Sequence, residues 1–148
     1  MKKLIFILSL LLSIVCYSQE NKGVFIDDRI ADIVYEYIDE AKERNIDVIP
    51  FLMTMDNIII SSQIDYPILG MATKDRKNVF IADYCLIEPI ILKVVVFHEL
   101  THAVFNTDHF GCYEYSIMNA DSPNSFYPYK NKVLWEKMLD EMFKVEKK

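Results

Sequence analysis

All three histidines of this chain fall in one stretch, His98-Glu-Leu-Thr-His-Ala-Val-Phe-Asn-Thr-Asp-His109, and its first five residues read H-E-x-x-H. On an α-helix, positions i and i+4 share a face, so the imidazoles of His98 and His102 can grip one cation. Glu99 stands about 100° further round, close enough to reach a metal-bound water without ligating the metal. Neutral imidazole suits zinc, and two imidazoles with a third protein ligand leave one position open for water. Zinc lowers the pKa of that water toward about 7, and the carboxylate takes its proton. The bland alternative is a helix whose histidines are ordinary surface or core residues. Two features oppose it. The run Ile90-Ile-Leu-Lys-Val-Val-Val-Phe97 just upstream is strongly apolar, which buries the helix where the motif begins, and the remaining histidine falls just beyond it.

Together with Ser116-Ile117-Met118 further on, the stretch resembles the zincin metallopeptidases and, within them, the metzincins. Their pattern is H-E-x-x-H-x-x-G-x-x-H followed by a tight turn carrying Met. The resemblance covers roughly residues 88 to 120. It implies a zinc cofactor, a peptide or protein substrate, Glu99 as general base, and Met118 as the floor beneath the metal. A thioether is a weak ligand for zinc, so that last role is packing. The chain departs from the pattern in several places. Phe105 stands where the family has Gly, Asp108 stands at the third-ligand position, His109 comes one residue later, and no Tyr lies two residues after Met118.

Asp108 and His109 therefore compete as third ligand. The family register would give Asp108, an acceptable zinc ligand. It also asks Phe105 to make the sharp turn for which the family uses Gly, and a bulky residue is strained at positive φ. With one extra residue before the turn, Asn106 takes that position, and Asn tolerates the left-handed conformation. His109 is then the ligand, and three imidazoles are a recognised catalytic zinc set. This argument favours His109, with Asp108 nearby as an outer group that orients an imidazole N–H.

The elements that must position these residues are legible in outline. Residues 25–44 carry Ile26, Ile30, Ile33, Val34, Tyr37, Ile38 and Ala41 at helical spacing, with Asp27 and Asp28 placed to cap or flank the N-terminus and Asn45 as an end signal. Residues 47–55, broken by Pro50, read as an edge strand, and 57–63 with Ile58-Ile59-Ile60 as a buried one. Residues 68–73 and 78–84 read as a hairpin around Lys74-Asp75-Arg76-Lys77. The helix carrying the histidines should start near Glu88-Pro89 and run to about Asn106. A last helix, 129–145, turns Val133, Leu134, Met138, Leu139, Met142 and Phe143 inward, with Trp135 in the core. The expectation is an α+β fold: a minimal zincin-like domain over residues 19–148, with an N-terminal helix, a small mixed sheet, the metal helix, a Met-turn loop and a C-terminal helix. In that family an exposed edge strand lays the substrate beside the zinc. Which strand does so here does not follow from the sequence.

Of the 148 residues, 52% are hydrophobic and 26% charged, an ordinary globular composition. The net charge of −6 comes with no basic block and no nucleic-acid motif, so nucleic acid is not an expected partner. Residues 1–18 read as a secretory signal peptide: Lys2 and Lys3, then an apolar stretch from Leu4 to Val15, then small residues before Gln19. That stretch is shorter than the roughly 20 residues a membrane span needs, and no other apolar run is longer. The expected location is secreted or periplasmic. The competing reading, lipidation at Cys16, wants a small residue before the Cys, where Val15 stands. Loss of 1–18 removes two lysines and no acid, which takes the net charge of −6 to −8. Cys85 and Cys112 remain, and secretion permits a disulfide. Reach argues against it, because a helix of about 26 Å separates them and the six residues after it return about 20 Å at most.

The residues 110–128 are rich in Tyr and Phe (Phe110, Tyr113, Tyr115, Phe126, Tyr127), either as a substrate wall or as packing for a long loop. The first functional reading is a secreted zinc peptidase. The second is a non-catalytic zinc-binding envelope protein that uses those aromatics as an interaction module. Glu99 separates them, since binding alone needs no carboxylate beside two ligands. A zinc hydrolase acting on something other than peptides is a third. Oligomeric state cannot be read from the sequence.

Overall fold

In the computed structural model, which describes residues 23–109, 116–119 and 127–144, the β-branched run Asn57–Ser61 forms a strand, β2, paired in parallel with β4, Asn78–Ala82. Ile58 and Ile60 of β2, and Val79 and Ile81 of β4, are buried, while the alternate positions Ile59 and Phe80 are only half-buried. The period of two thus turns one face of the sheet to the core. Phe25–Ile26, β1, pairs in parallel with β2, and Gly70–Ala72, β3, pairs antiparallel with β4. The order β1-β2-β4-β3 leaves β3 as an open edge.

The helices are α1 (Ala31–Glu43), the short α2 (Ile49–Leu52), α3 (Pro89–Phe105), and α4 (Tyr127–Lys130) and α5 (Lys132–Met142) near the C-terminus. A 3₁₀ turn, Asp83–Ile87, carries the chain from β4 into α3. The fold is α+β. Pro89 opens α3 in its first turn, where its missing N–H costs nothing. The helix is apolar nearly all round and buries Leu92, Val94, Val95, Val96, Phe97, Leu100, Ala103 and Val104. That pattern belongs to a helix enclosed on several sides. It packs on β3 and β4, and its other flank meets α1 and α5. Tyr37 of α1 stands edge-on to Phe97 at 5.3 Å and tilted against Phe143 at 5.3 Å, and Phe97 also meets Trp135 at 5.6 Å. Burying each such side chain stabilises the fold by roughly 2–3 kcal/mol, which fixes α3 firmly enough to carry a site. Among the described residues, no helix is long and apolar enough to cross a membrane.

Four local expectations need correction. Residues 25–26 are strand, because the free edge of β2 takes them as a partner: Phe25 N–H donates to Asp56 and Asp27 N–H to Ile58. Asp27 does not cap α1. Its carboxylate binds the Arg29 side chain at 2.9 and 2.6 Å, and Ile30 takes the N-cap position without a side-chain bond. Residues 49–52 are helical, with Pro50 in the first turn, and the buried residues Val48, Leu52 and Met55 recur at helical spacing. The C-terminal helix is split. The Asn131 side chain accepts from Val133 and Leu134 N–H at 3.1 and 3.2 Å, which caps a new start. Val133, in that first turn, is 66% exposed and does not face inward. The signal segment 1–18, Cys16, Cys112, the aromatics Phe110, Tyr113, Tyr115 and Phe126, and the side chain of Tyr127 lie outside the described residues. Cys85 is buried with a free thiol that donates to the Leu69 carbonyl at 3.5 Å.

Candidate metal centre

Helix α3 ends where Asn106 turns left-handed, at φ 51° and ψ 48°. Phe105 stays helical, so the turn comes at the residue that tolerates it. Two consequences follow for the histidines. Thr107, just beyond the turn, offers its carbonyl to His102, accepting from Nδ1 at 2.5 Å. His109 is carried to the face that holds the other two imidazoles. Its Nε2 lies 3.2 Å from His98 Nε2, and His102 Nε2 lies 2.9 Å from the same atom.

The turn at residues 116–119 supplies the second support. Asn119 N–H closes it on the Ser116 carbonyl at 3.1 Å, and Met118 N–H meets Ser116 Oγ at 3.3 Å. Ser116, Ile117 and Met118 are all buried. The Ile117 carbonyl accepts from His98 Nδ1 at 2.6 Å. A carbonyl can only accept, so each Nδ1 carries its proton, and a neutral imidazole then has only a lone pair at Nε2. The Nε2 atoms of His98 and His102 therefore confront each other with lone pairs at 2.9 Å. Nothing in that contact is attractive until a proton or a cation sits between them. A second proton is opposed at His98, where burial pulls the imidazole down from 6.5 to about 4 despite the Ile117 bond, with the two neighbouring imidazoles adding to the fall. Burial also lowers His102. A metal ion with bonds of about 2.0–2.1 Å in tetrahedral array holds its nitrogens about 3.3 Å apart, close to the separations seen here. The three histidines can thus form a metal-binding group.

Asp108 is exposed and its carboxylate is not part of that group, though it lies near enough to favour the charged form of His102. The outer groups that orient the imidazoles are the Thr107 and Ile117 carbonyls, not the Asp108 carboxylate.

Glu99 is 7% exposed and borders the same cavities as His98, His102 and His109. Burial raises its carboxyl from 4.5 to about 7, and a hydrogen bond from Ala72 N–H works in the other direction. That bond depends on Gly70. A Cβ at Gly70 would lie 2.8 Å from Glu99 Cγ and 2.9 Å from Val95 Cγ1, so only a residue without a side chain lets β3 lie this close to α3. Sequence reasoning missed Gly70, Ala72 and the two carbonyls. An isolated glycine in a strand, in a chain with only 3 glycines, was the available signal. Backbone carbonyls leave no mark in a sequence.

No family model, no curated protein and no solved structure matches this chain. The geometry of the centre is therefore the ground for any functional reading.

Proposed function

We propose that the chain is an exported zinc-dependent peptidase of metzincin-like design. The observation that carries this reading is the convergence of three imidazole Nε2 atoms beside a buried carboxylate with no cation of its own. His98, His102 and His109 hold the ion, and three neutral imidazoles with one open position are the donor set of a catalytic zinc. Bound there, zinc supplies a Lewis acid that polarises a carbonyl and acidifies water.

The remaining work falls to the chain's own residues. Glu99 takes the proton of the attacking water and passes it to the leaving amine. Its buried position, with Ala72 N–H on one side, keeps the carboxylate in one orientation through both transfers. Edge strand β3 offers the substrate a backbone partner. Leu69 and Thr73 bond to β4, so the alternation turns the amide groups of Gly70 off the open edge, toward the centre. The Met118 turn fixes His98 through the Ile117 carbonyl and carries no chemistry. Glu99 also separates this reading from a non-catalytic zinc-binding envelope protein, since burying an unpaired carboxylate costs stability that simple metal binding does not require.

Metal analysis of the purified mature protein, with a peptide-library digest by wild type and Glu99→Ala, tests the proposal. One zinc per chain, cleavage by wild type, and loss of cleavage by about 10³-fold or more in a zinc-replete Glu99→Ala support it. Equal cleavage by both proteins refutes the mechanism, and loss of zinc from Glu99→Ala makes Glu99 a ligand or a structural partner.

A further inference from the structure

Two further cavities each share lining residues with a central one beside the histidines. The central one, about 300 Å³, lies beside His98 and Glu99 and is walled by Leu69, Val94, Val95, Ile117 and Tyr129. A second, about 440 Å³, shares Gly70, Glu99 and His109 with it and is also lined by Lys74 and Arg76 of the β3–β4 turn. A third, about 400 Å³, shares Val94 and Tyr129 with the first and is also lined by Lys130 and Lys132. The central cavity, apolar beside the metal centre, thus has two neighbours, each lined by cations that the centre itself lacks.

The charge distribution is what these cavities add to the peptidase reading. The chain is acidic, with a net charge of −6, yet both flanking cavities are lined by cations, Lys74 and Arg76 in one and Lys93, Lys130 and Lys132 in the other. Among the described residues, Arg29, Arg44 and Lys93 each have a carboxylate within ion-pair distance; Lys74, Arg76, Lys130 and Lys132 have none, as is also true of Lys42, Lys77, Lys137 and Lys144, which line none of these cavities. Lys93 borders the third cavity but is held by Glu36. Two acids stand close to the hairpin end. Asp75 turns its carboxylate onto the Thr73 hydroxyl and Lys77 N–H, and Asp108 lines the second cavity opposite the two cations. Cations free of a direct ion pair on both sides of a cleft raise the local concentration of anionic ligands and orient them.

We infer that the three cavities act as one groove for an extended acidic peptide, with an aliphatic side chain in the central cavity and Asp or Glu on both sides of it. This rests on the peptidase reading, and it names the substrate class. One end of the peptide meets Lys74 and Arg76, the other Lys130 and Lys132, so the two pairs act on opposite sides of the scissile bond.

The test uses the zinc-loaded mature chain carrying Glu99→Ala, so that binding is read without turnover. Two fluorescein-labelled peptides share a central Leu-Leu and differ only in flanks of Glu or Lys. Anisotropy titration should give about tenfold tighter binding of the acidic peptide at low salt, with the gap closing near 0.5 M salt. Lys74→Glu with Arg76→Glu, and Lys130→Glu with Lys132→Glu, should each shrink the preference several-fold, and all four together should abolish or reverse it. Equal affinity for the two peptides, or a preference that survives all four reversals, overturns the assignment. A digest by wild type separates this outcome from the fate of the hydrolytic reading. Selective binding of the acidic peptide with no cleavage leaves the groove assigned and removes the peptidase. Cleavage indifferent to the flanking charge removes the acidic substrate and leaves the peptidase.

Discussion

Two clusters of ionisable groups on this molecule answer opposite needs. Around Arg44, one guanidinium is shared by three carboxylates, Glu40 at 2.7 Å, Glu136 at 2.9 Å and Asp140 at 3.0 Å, and the cluster ties α1 to α5. Each guanidinium nitrogen there meets an acceptor and each carboxylate meets the guanidinium, so the hydrogen bonding is satisfied on the spot although three acids surround one cation. Around His98, the Nε2 atoms of His98 and His102 meet lone pair to lone pair, their outward nitrogens already committed to carbonyls, and His109 Nε2 comes within 3.2 Å of the same point. A compensated cluster is complete as it stands and serves the fold. An uncompensated one, held rigid by backbone on two sides, is organised for something that the chain does not itself contain.

The sharpest way to break that contrast is to remove a member of the second cluster. His109→Ala should lower zinc affinity by about 10³-fold or more, beyond the 10- to 100-fold typical of an outer-shell partner, while Asp108→Ala, which removes no group that orients an imidazole, should lower it by less than about 10-fold. Competition with a chromophoric chelator measures both. A larger loss from Asp108→Ala would return the site to the family register.

Acid should separate the clusters next. His98 has its pKa pulled from 6.5 to about 4 in the fold, so the unfolded chain binds the proton more readily. The metal-free protein is therefore at full advantage above pH 6.5 and loses stability as pH falls toward 4, by on the order of 3 kcal/mol from this one group. Urea melts at stepped pH, wild type against His98→Gln, would reveal the difference. Parallel curves would mean that His98 is not the buried neutral group described here.

Gly70→Ala probes the support of Glu99. The new methyl must push β3 from α3, at a cost of about 1–3 kcal/mol, and should reduce turnover more than metal affinity. An unchanged melting temperature with unchanged turnover would mean that the close approach of strand and helix is unimportant.

The smallest effect belongs to the compensated cluster. Arg44→Ala should cost about 1 kcal/mol, because Glu136 and Asp140 are half-exposed and return to water while Glu40, left part-buried without its cation, can take up a proton, and it should leave metal affinity untouched. A change in metal affinity would couple two regions that share no contact.

Much of this could be read before any coordinates existed. The α+β class, the span of α3, the hairpin at 68–84 and the turn at Asn106 all followed from period, punctuation and backbone tolerance. The errors were local and share a cause. Val133 looked inward and Phe25–Ile26 looked helical because periodicity was carried across boundaries that a cap or a free strand edge sets. The short helix at 49–52 was read as strand because Pro50 fits both. At the site, the side chains were legible because their identities announce the chemistry. The groups that orient them, Thr107 and Ile117 carbonyls and Ala72 N–H, are present at every residue, and only the fold selects which ones serve.

The central claim, that three imidazoles converge to hold one metal ion, is met most directly by zinc K-edge absorption on protein loaded with one equivalent. The account predicts about three imidazole nitrogens at about 2.0–2.1 Å with one light-atom ligand and no sulfur. A first shell with thiolate, or with fewer than three imidazoles, or zinc that washes away on gel filtration, would contradict it.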